Sequence, residues 1–437
     1  MKTVKKNKRK IIIASIIAGI IAVLACAAVY IHVLSSPRPT VKQDPSPVDN
    51  AYRNRTANIN AEAVGENGKL LFNAYNHFPF SGIYQVEGGV LRRVYRGELN
   101  ILGANNPFSD YLYNGNLIDY GETALRRLNL STGQFEPFLY PDLEEGKAIA
   151  DAFTAGGELY FSVGAKELYY AHDPEDNDDA AAAPSGETVD DAVTIYHYTD
   201  NGAVETAASE KLCGKGFVPY DFCGNIMYYY LKDETRPDAP VPNDFGAEIY
   251  SCNIRKLYAY NLAERKTERC IDFSVIDSVL PEKNCAIDGL LVTDNKVYLF
   301  VRIPEKLEAH YNAEAIRNDP YRLEVGYAER LFVYRYDIAS GKLDEPVEVG
   351  DSSPFAVNGY GDKVYVQAAT EHHYGNVTQY KNTLYAFSDS AAEPTVLHIS
   401  SPATGLYIFD EDHLYYTTAD NRLHRIRPDG TGNESVF

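Results

Sequence analysis

The chain's densest chemistry is the acidic stretch DPEDNDD, with Asp173, Glu175, Asp176, Asp178 and Asp179 within seven residues. Clustered carboxylates offer hard oxygen ligands of the kind calcium takes, but the spacing is not that of an EF-hand loop. A solvated acidic loop is the competing reading, since AAAPSGE follows directly. Glu371, His372 and His373 are the densest candidates for a transition metal. Adjacent histidines on an extended segment point to opposite faces, so only Glu371 and His373 can share an ion. Tyr169, Tyr170, Tyr229, Tyr230, Tyr311 and Tyr374 offer flat apolar faces with polar edges, suited to a sugar or a peptide. Tyrosines on strands also pack between sheets, which is the plainer use of such residues. The sequence contains no nucleophile elbow, zinc-helix motif, phosphate loop or dinucleotide fingerprint. The chain therefore reads as a binding module before an enzyme, with no catalytic residue and no cofactor beyond calcium.

These residues have to be positioned by strands. First members of a recurring pair are KLLFNA (69–74), NLIDYG (116–121), ELYFSV (158–163), IMYYYL (226–231), KVYLFV (296–301), KVYVQA (363–368) and HLYYTT (413–418). Each is followed by a second apolar or aromatic run, from GIYQVE (82–87) to RLHRIRPDG (422–430). Shorter apolar segments flank several pairs, so the repeating unit is about four strands and about 42 to 70 residues long. No single sandwich needs that many strands. The expected fold is all-β, a seven-bladed propeller spanning 58–437 and preceded by one transmembrane helix. Ring closure is expected from a strand within 54–65 placed beside the last unit.

The strand–turn sequence YYTTADNRLHRIRPDGTG (415–432) resembles the repeat of low-density-lipoprotein-receptor-type propellers and is similar to TolB-like bacterial propellers. Tyr415, Tyr416, Arg425, Asp429, Gly430 and Thr431 carry the likeness. Tyr416 stands where the receptor-type repeat has tryptophan, which this chain lacks. The resemblance implies a propeller in an extracytoplasmic domain and supplies no catalytic residues.

The intervals inside the pairs vary in length. Residues 164–193, 232–255, 302–329 and 369–382 give connections of 30, 24, 28 and 14 residues, whereas the last pair is joined by ADN. Equivalent connections of a propeller emerge on one face, so these four would gather there as a binding surface.

The N-terminus points to a membrane. Six basic residues within 1–10 precede 24 residues, 11–34, that carry no formal charge. Such a run makes roughly 36 Å of helix, against a hydrocarbon core of about 30 Å. The basic flank predicts an inside tail and an outside domain, in a single-pass protein of a bacterial cell membrane. Residues 35–57, with four prolines, read as a stalk. Net charge is −20 despite the basic tail, which disfavours nucleic acid as a partner. The six cysteines leave two pairings open, Cys213 with Cys223 or Cys252 with Cys270, beside buried free thiols. The expected function is a membrane-anchored module binding an extracellular or envelope protein, peptide or glycan through the long loops. The alternative is a hydrolase or lyase of an extracellular polymer, with its site in the central funnel.

Overall fold

A computed structural model describes residues 17, 19–28, 38–39, 48, 50, 53–54, 63–66, 69–74, 81–87, 90–96, 111–113, 116–129, 132, 134–166, 192–199, 202, 204–209, 211–214, 216–235, 241–242, 248–249, 254–280, 285–306, 327–350, 356–374, 377–399, 402–418, 420 and 422–437. Among them the strands form seven antiparallel sheets of four or five strands and one two-stranded ribbon. In chain order the sheets begin at Ala63–Glu66, Tyr111–Tyr113, Lys147–Ala155, Phe217–Cys223, Ala286–Val292, Ala356–Tyr360 and Ala403–Tyr407. Each of the strand pairs read from the sequence is a hydrogen-bonded antiparallel pair. Lys69–Ala74 meets Gly82–Glu87 at one end of the chain, and Leu414–Thr418 meets Leu423–Ile426 at the other.

Central strands are buried without alternation. In Glu158–Ala165 and Leu414–Thr418 both faces are apolar, because each sheet is sandwiched between two neighbours. Buried clusters then link successive sheets. Ile118 and Leu125 meet Ile149 and Phe161, and Phe153 and Tyr160 meet Phe222 and Met227. Leu257 and Ile271 meet Val297 and Leu299, and Tyr298 and Phe300 meet Val364 and Val366. Leu384 and Leu397 meet Leu406 and Tyr416. The series closes where Leu70 and Phe72 of the first sheet meet Tyr407 and Leu423 of the seventh. The strand Ala63–Glu66 in turn lies against Tyr111–Tyr113 of the second sheet. A ring of sheets packed face to face is a β-propeller.

Several expectations need correction. Among the described residues no helix is long and apolar enough to cross a membrane. The continuous described helix, 19–28, is about 15 Å long, half of a hydrocarbon core. The rest of the expected anchor, and the tail 1–10, lie outside the described residues. The transmembrane helix, the single-pass cell-membrane topology and the membrane as partner are therefore not retained. Residues 35–57 do not read as a free stalk either. Arg38–Pro39 pairs with Val90 and Leu91 of the first sheet, and Val48, Asn50, Arg53 and Asn54 are buried within the ring. Ring closure also differs from expectation. Ala63–Glu66 pairs with Lys69–Ala74 in the first sheet, and the seventh sheet completes itself with Glu434–Ser435. Closure is by packing, with Phe437 tilted against Phe72 and Tyr84 at ring-centroid distances of 5.0 and 4.8 Å.

The connections expected to be loops are partly strands. Lys363–Tyr374 and Val377–Ser388 pair along their whole length, so 369–382 is a hairpin arm. Lys296–Lys306 and Tyr327–Asp337 likewise extend into 302–329, and Val241–Pro242 pairs with Glu248–Ile249 inside 232–255.

Candidate functional site

First strands of the sheets surround the ring axis, and Val48, Asn50, Arg53 and Asn54 show what fills one end of it. Arg53 donates through Nε to both carboxylate oxygens of Asp221, at 2.9 and 3.1 Å, and through Nη2 to Asp221 Oδ2 at 2.7 Å. Its Nη1 donates to the carbonyl of Gly359 at 3.0 Å, and Nη2 also reaches the carbonyl of Val292. Asn54 Nδ2 donates to the Ile408 carbonyl at 2.9 Å, while its Oδ1 accepts from the Ile408 backbone N–H and from Asn358 Nδ2. Asn50 donates to Asn358 Oδ1 at 3.0 Å, and the Val48 amide donates to the Phe409 carbonyl. Fourth, fifth, sixth and seventh sheets are thus joined by one short segment. Arg53 is 2% exposed and Asp221 5%. Burial by itself would lower the guanidinium's proton affinity, but the Asp221 carboxylate more than offsets this and holds it above the ordinary arginine value.

The direction of this filling follows from the topology. Asp221, Val292 and Gly359 lie near the C-terminal ends of first strands, beside the tight turns that lead to second strands. The long connections leave from the far ends of second strands, so they emerge at the opposite mouth. A site in the central funnel is therefore excluded from the filled mouth, where the groups that meet are the chain's own.

A cleft of about 790 Å³ opens elsewhere, between the second and third sheets. Its floor is the face of the third sheet that turns toward the second: Phe161, Val163, Thr194, Tyr196, Val204 and Thr206. Strand register aligns Phe161 with Tyr196 and Tyr196 with Thr206, and the Phe161 and Tyr196 rings stack at 5.4 Å. The rim is the connection 139–147. Leu139 and Leu143 pack onto the apolar cluster, which pins the connection down. Asp142 and Glu144, on either side of Leu143, are exposed, and Lys147 and Lys211 face the same cleft. Tyr140 stands 69% exposed at the mouth. Phe161 is fully buried beneath Tyr196, so the half-buried Tyr196 ring is the aromatic surface open to the cleft. With carboxylates and ammonium groups around it, the cleft can hold a polar chain and supply proton donors and acceptors.

Only some of the residues expected to form a site lie among the described residues. Asp173, Glu175, Asp176, Asp178, Asp179, Tyr169, Tyr170 and Tyr311 lie outside the described residues. Tyr229 is a core residue, 5% exposed, stacked on Tyr258 at 5.2 Å and tilted against Phe217 at 4.7 Å. Tyr230 is half-buried between the fourth and fifth sheets, edge-on to Tyr220. Tyr374 ends the hairpin arm, its backbone paired with Val377, and Glu371 and His373 lie opposite Tyr380 and Thr378 on the same arm. No group of three histidine, cysteine or carboxylate side chains fit for a metal occurs among the described residues. Cys213, Cys223, Cys270 and Cys285 form no disulfide, which rules out both of the pairings left open by the sequence.

Two further carboxylates, buried Asp410 and half-buried Asp389, tie the fold. Asp410 accepts from the His413 amide at 2.8 Å and Tyr415 Oη at 2.8 Å, tying a turn within the seventh sheet. Asp389 accepts from Thr293 at 2.9 Å and Tyr298 at 3.1 Å, joining the fifth and sixth sheets.

The sequence matches no protein-family model and no curated protein. Similar solved structures include the computationally designed Ika8 protein, with 12% identity, a TM-score of 0.38 and coverage of 90% of this chain and 89% of the other. A puromycin-hydrolyzing peptidase of Mycobacterium tuberculosis gives 11% and 0.39, covering 91% of this chain and 56% of the peptidase. The dihydro-heme d1 dehydrogenase NirN gives 7% and 0.38, covering 91% and 75%. The expectation of a membrane-anchored module presenting long loops is withdrawn, because the described residues contain no spanning helix.

Proposed function

We propose that the protein is a hydrolase or lyase acting on a polymeric glycan or peptide, and that its working site is the cleft between the second and third sheets. One observation carries the reading: Asp142 and Glu144 share a cleft with Lys147, Lys211 and the half-buried Tyr196 ring, which the buried Phe161 ring backs by stacking. Cleaving a polymer bond needs one group to give a proton and another to take one, beside a surface that fixes the chain being cut. Carboxylates on a short pinned connection meet the first need and the aromatic floor meets the second. In this reading Asp142 and Glu144 exchange protons with the substrate, and the two lysines balance charge that develops on it.

Connection 164–193 leaves the third sheet beside the cleft, which supports a role in substrate contact for Tyr169 and Tyr170 and in calcium binding for the carboxylates from Asp173 to Asp179. The likeness of residues 415–432 to receptor-type and TolB-like repeats supports kinship with those propellers, and we place the domain at 58–437 with the buried Val48, Asn50, Arg53 and Asn54 as its extension.

The test is turnover of a panel of polysaccharides and unfolded polypeptides by the full chain, with products read by mass spectrometry. At least one polymer is expected to be cut, and Asp142→Asn or Glu144→Gln is expected to lower kcat by about 10² or more with unchanged melting temperature. Binding without cleavage across the panel, or cleavage indifferent to both substitutions, contradicts the proposal.

A further inference from the structure

The acceptors that meet Arg53 come from three different sheets and lie far from it along the chain. They are the Asp221 carboxylate, 168 residues away, and the carbonyls of Val292 and Gly359, 239 and 306 residues away. Together they face both edges of a planar guanidinium, a fork that a lysine ammonium does not reproduce. The next residue is read as specifically. The Asn54 amide pairs with both the N–H and the carbonyl of Ile408, and Asn358 adds a donor to Asn54 Oδ1. Asn358 is itself fixed by donating to the Leu406 carbonyl at 2.8 Å and by accepting from the Gly359 amide. All of these receptor groups belong to first strands or their ends, where the sheet ladders hold their backbone.

We propose that this mouth of the channel is a peptide-binding site that recognises an arginine followed by an asparagine, and that Arg53 and Asn54 occupy it as the chain's own ligand. The covalent tether keeps the segment at high effective concentration, so a competing peptide gains access only once the tether is cut or the segment displaced. A peptide with arginine replaced leaves Asp221 as an uncompensated buried charge, which gives the site its selectivity.

A protease-recognition sequence placed between Asn54 and Ala63 of the full chain, cleaved after folding, tests this. The N-terminal fragment is expected to stay bound through gel filtration and to be displaced by an excess of the synthetic peptide SPVDNAYRNR. The same peptide with Arg53→Lys or Asn54→Ala is expected to need at least about tenfold more for equal displacement, one decade of affinity being about 1.4 kcal/mol. Release of the fragment on cleavage, or equal displacement by all three peptides, overturns the proposal. Unfolding of the ring on cleavage also overturns it, because the segment is then part of the core and not a ligand. None of these outcomes bears on turnover in the cleft.

Discussion

At Arg53 the balance of terms decides how much one side chain matters. A buried cation is costly on its own, and here Asp221 and two carbonyls satisfy it from three sheets. Arg53→Ala leaves Asp221 unpaired and is expected to cost about 3–5 kcal/mol in urea unfolding, whereas the pair Arg53→Met with Asp221→Leu recovers most of that loss. A double change as damaging as the single one contradicts this account. Asp410 supplies a pH test. Burial alone would raise its pKa, but hydrogen bonds from His413 and Tyr415 hold it below the ordinary aspartate value. A depressed folded-state pKa gives stability that is complete above the unfolded value of about 3.9 and lost as pH falls through the folded one. Asp410→Asn is therefore expected to flatten the fall in stability below about pH 4, measured by urea melts at stepped pH. Little of this residue scale was legible in the sequence. Arg53 sits in a proline-containing stretch that composition assigns to a stalk, and its partner is 168 residues away. Tyr229 and Tyr230 look alike in IMYYYL, yet alternation sends the first into the core.

At the scale of strands and turns the sequence was far more informative, because a sheet buried on both faces writes apolar runs that local composition reveals. What escaped was the hairpin arm Lys363–Tyr374 with Val377–Ser388, since its outer half, EHHYGNVTQY, lacks the apolar side chains that mark a packed strand. The cleft rim escaped for a related reason: YPDLEEG reads as a polar connection until Leu143 is seen against the second and third sheets. Gly156 shows how tightly neighbouring turns fit. Its φ is +61°, and a Cβ there would lie 1.7 Å from Asn225 Oδ1 of the fourth sheet. Gly156→Ala is expected to destabilise by roughly 1–2 kcal/mol in thermal melts, and Asn225→Ala to relieve only the steric part, leaving the backbone strain. Cys213 offers a chemical probe of the same interface. Burial pushes its thiol up to about 12, so it is expected to resist iodoacetamide at pH 8 until the third and fourth sheets separate, while exposed Cys270 reacts in the native state. Native-state alkylation of Cys213, seen by peptide mapping, contradicts that packing.

For the whole molecule, the ring explains why function has to be sought at seams and mouths. Faces of the sheets are consumed by packing, one mouth of the channel is filled by Val48, Asn50, Arg53 and Asn54, and the cleft beside the third sheet stays open to solvent. Ring architecture followed from the repeat, but the cleft did not. It depends on how the connection 139–147 meets the strands of the third sheet, residues far apart in any local pattern. Because the chain has no tryptophan, Tyr140→Trp places a single indole fluorophore at the cleft mouth, where the native side chain is already 69% exposed. The decisive measurement is titration of this variant with each polymer of the turnover panel. The account predicts a saturable blue shift with the polymer that is cut, abolished when Tyr196→Asp disrupts the floor. Cleavage of a polymer that leaves the indole emission unchanged would place the chemistry elsewhere and contradict the central claim.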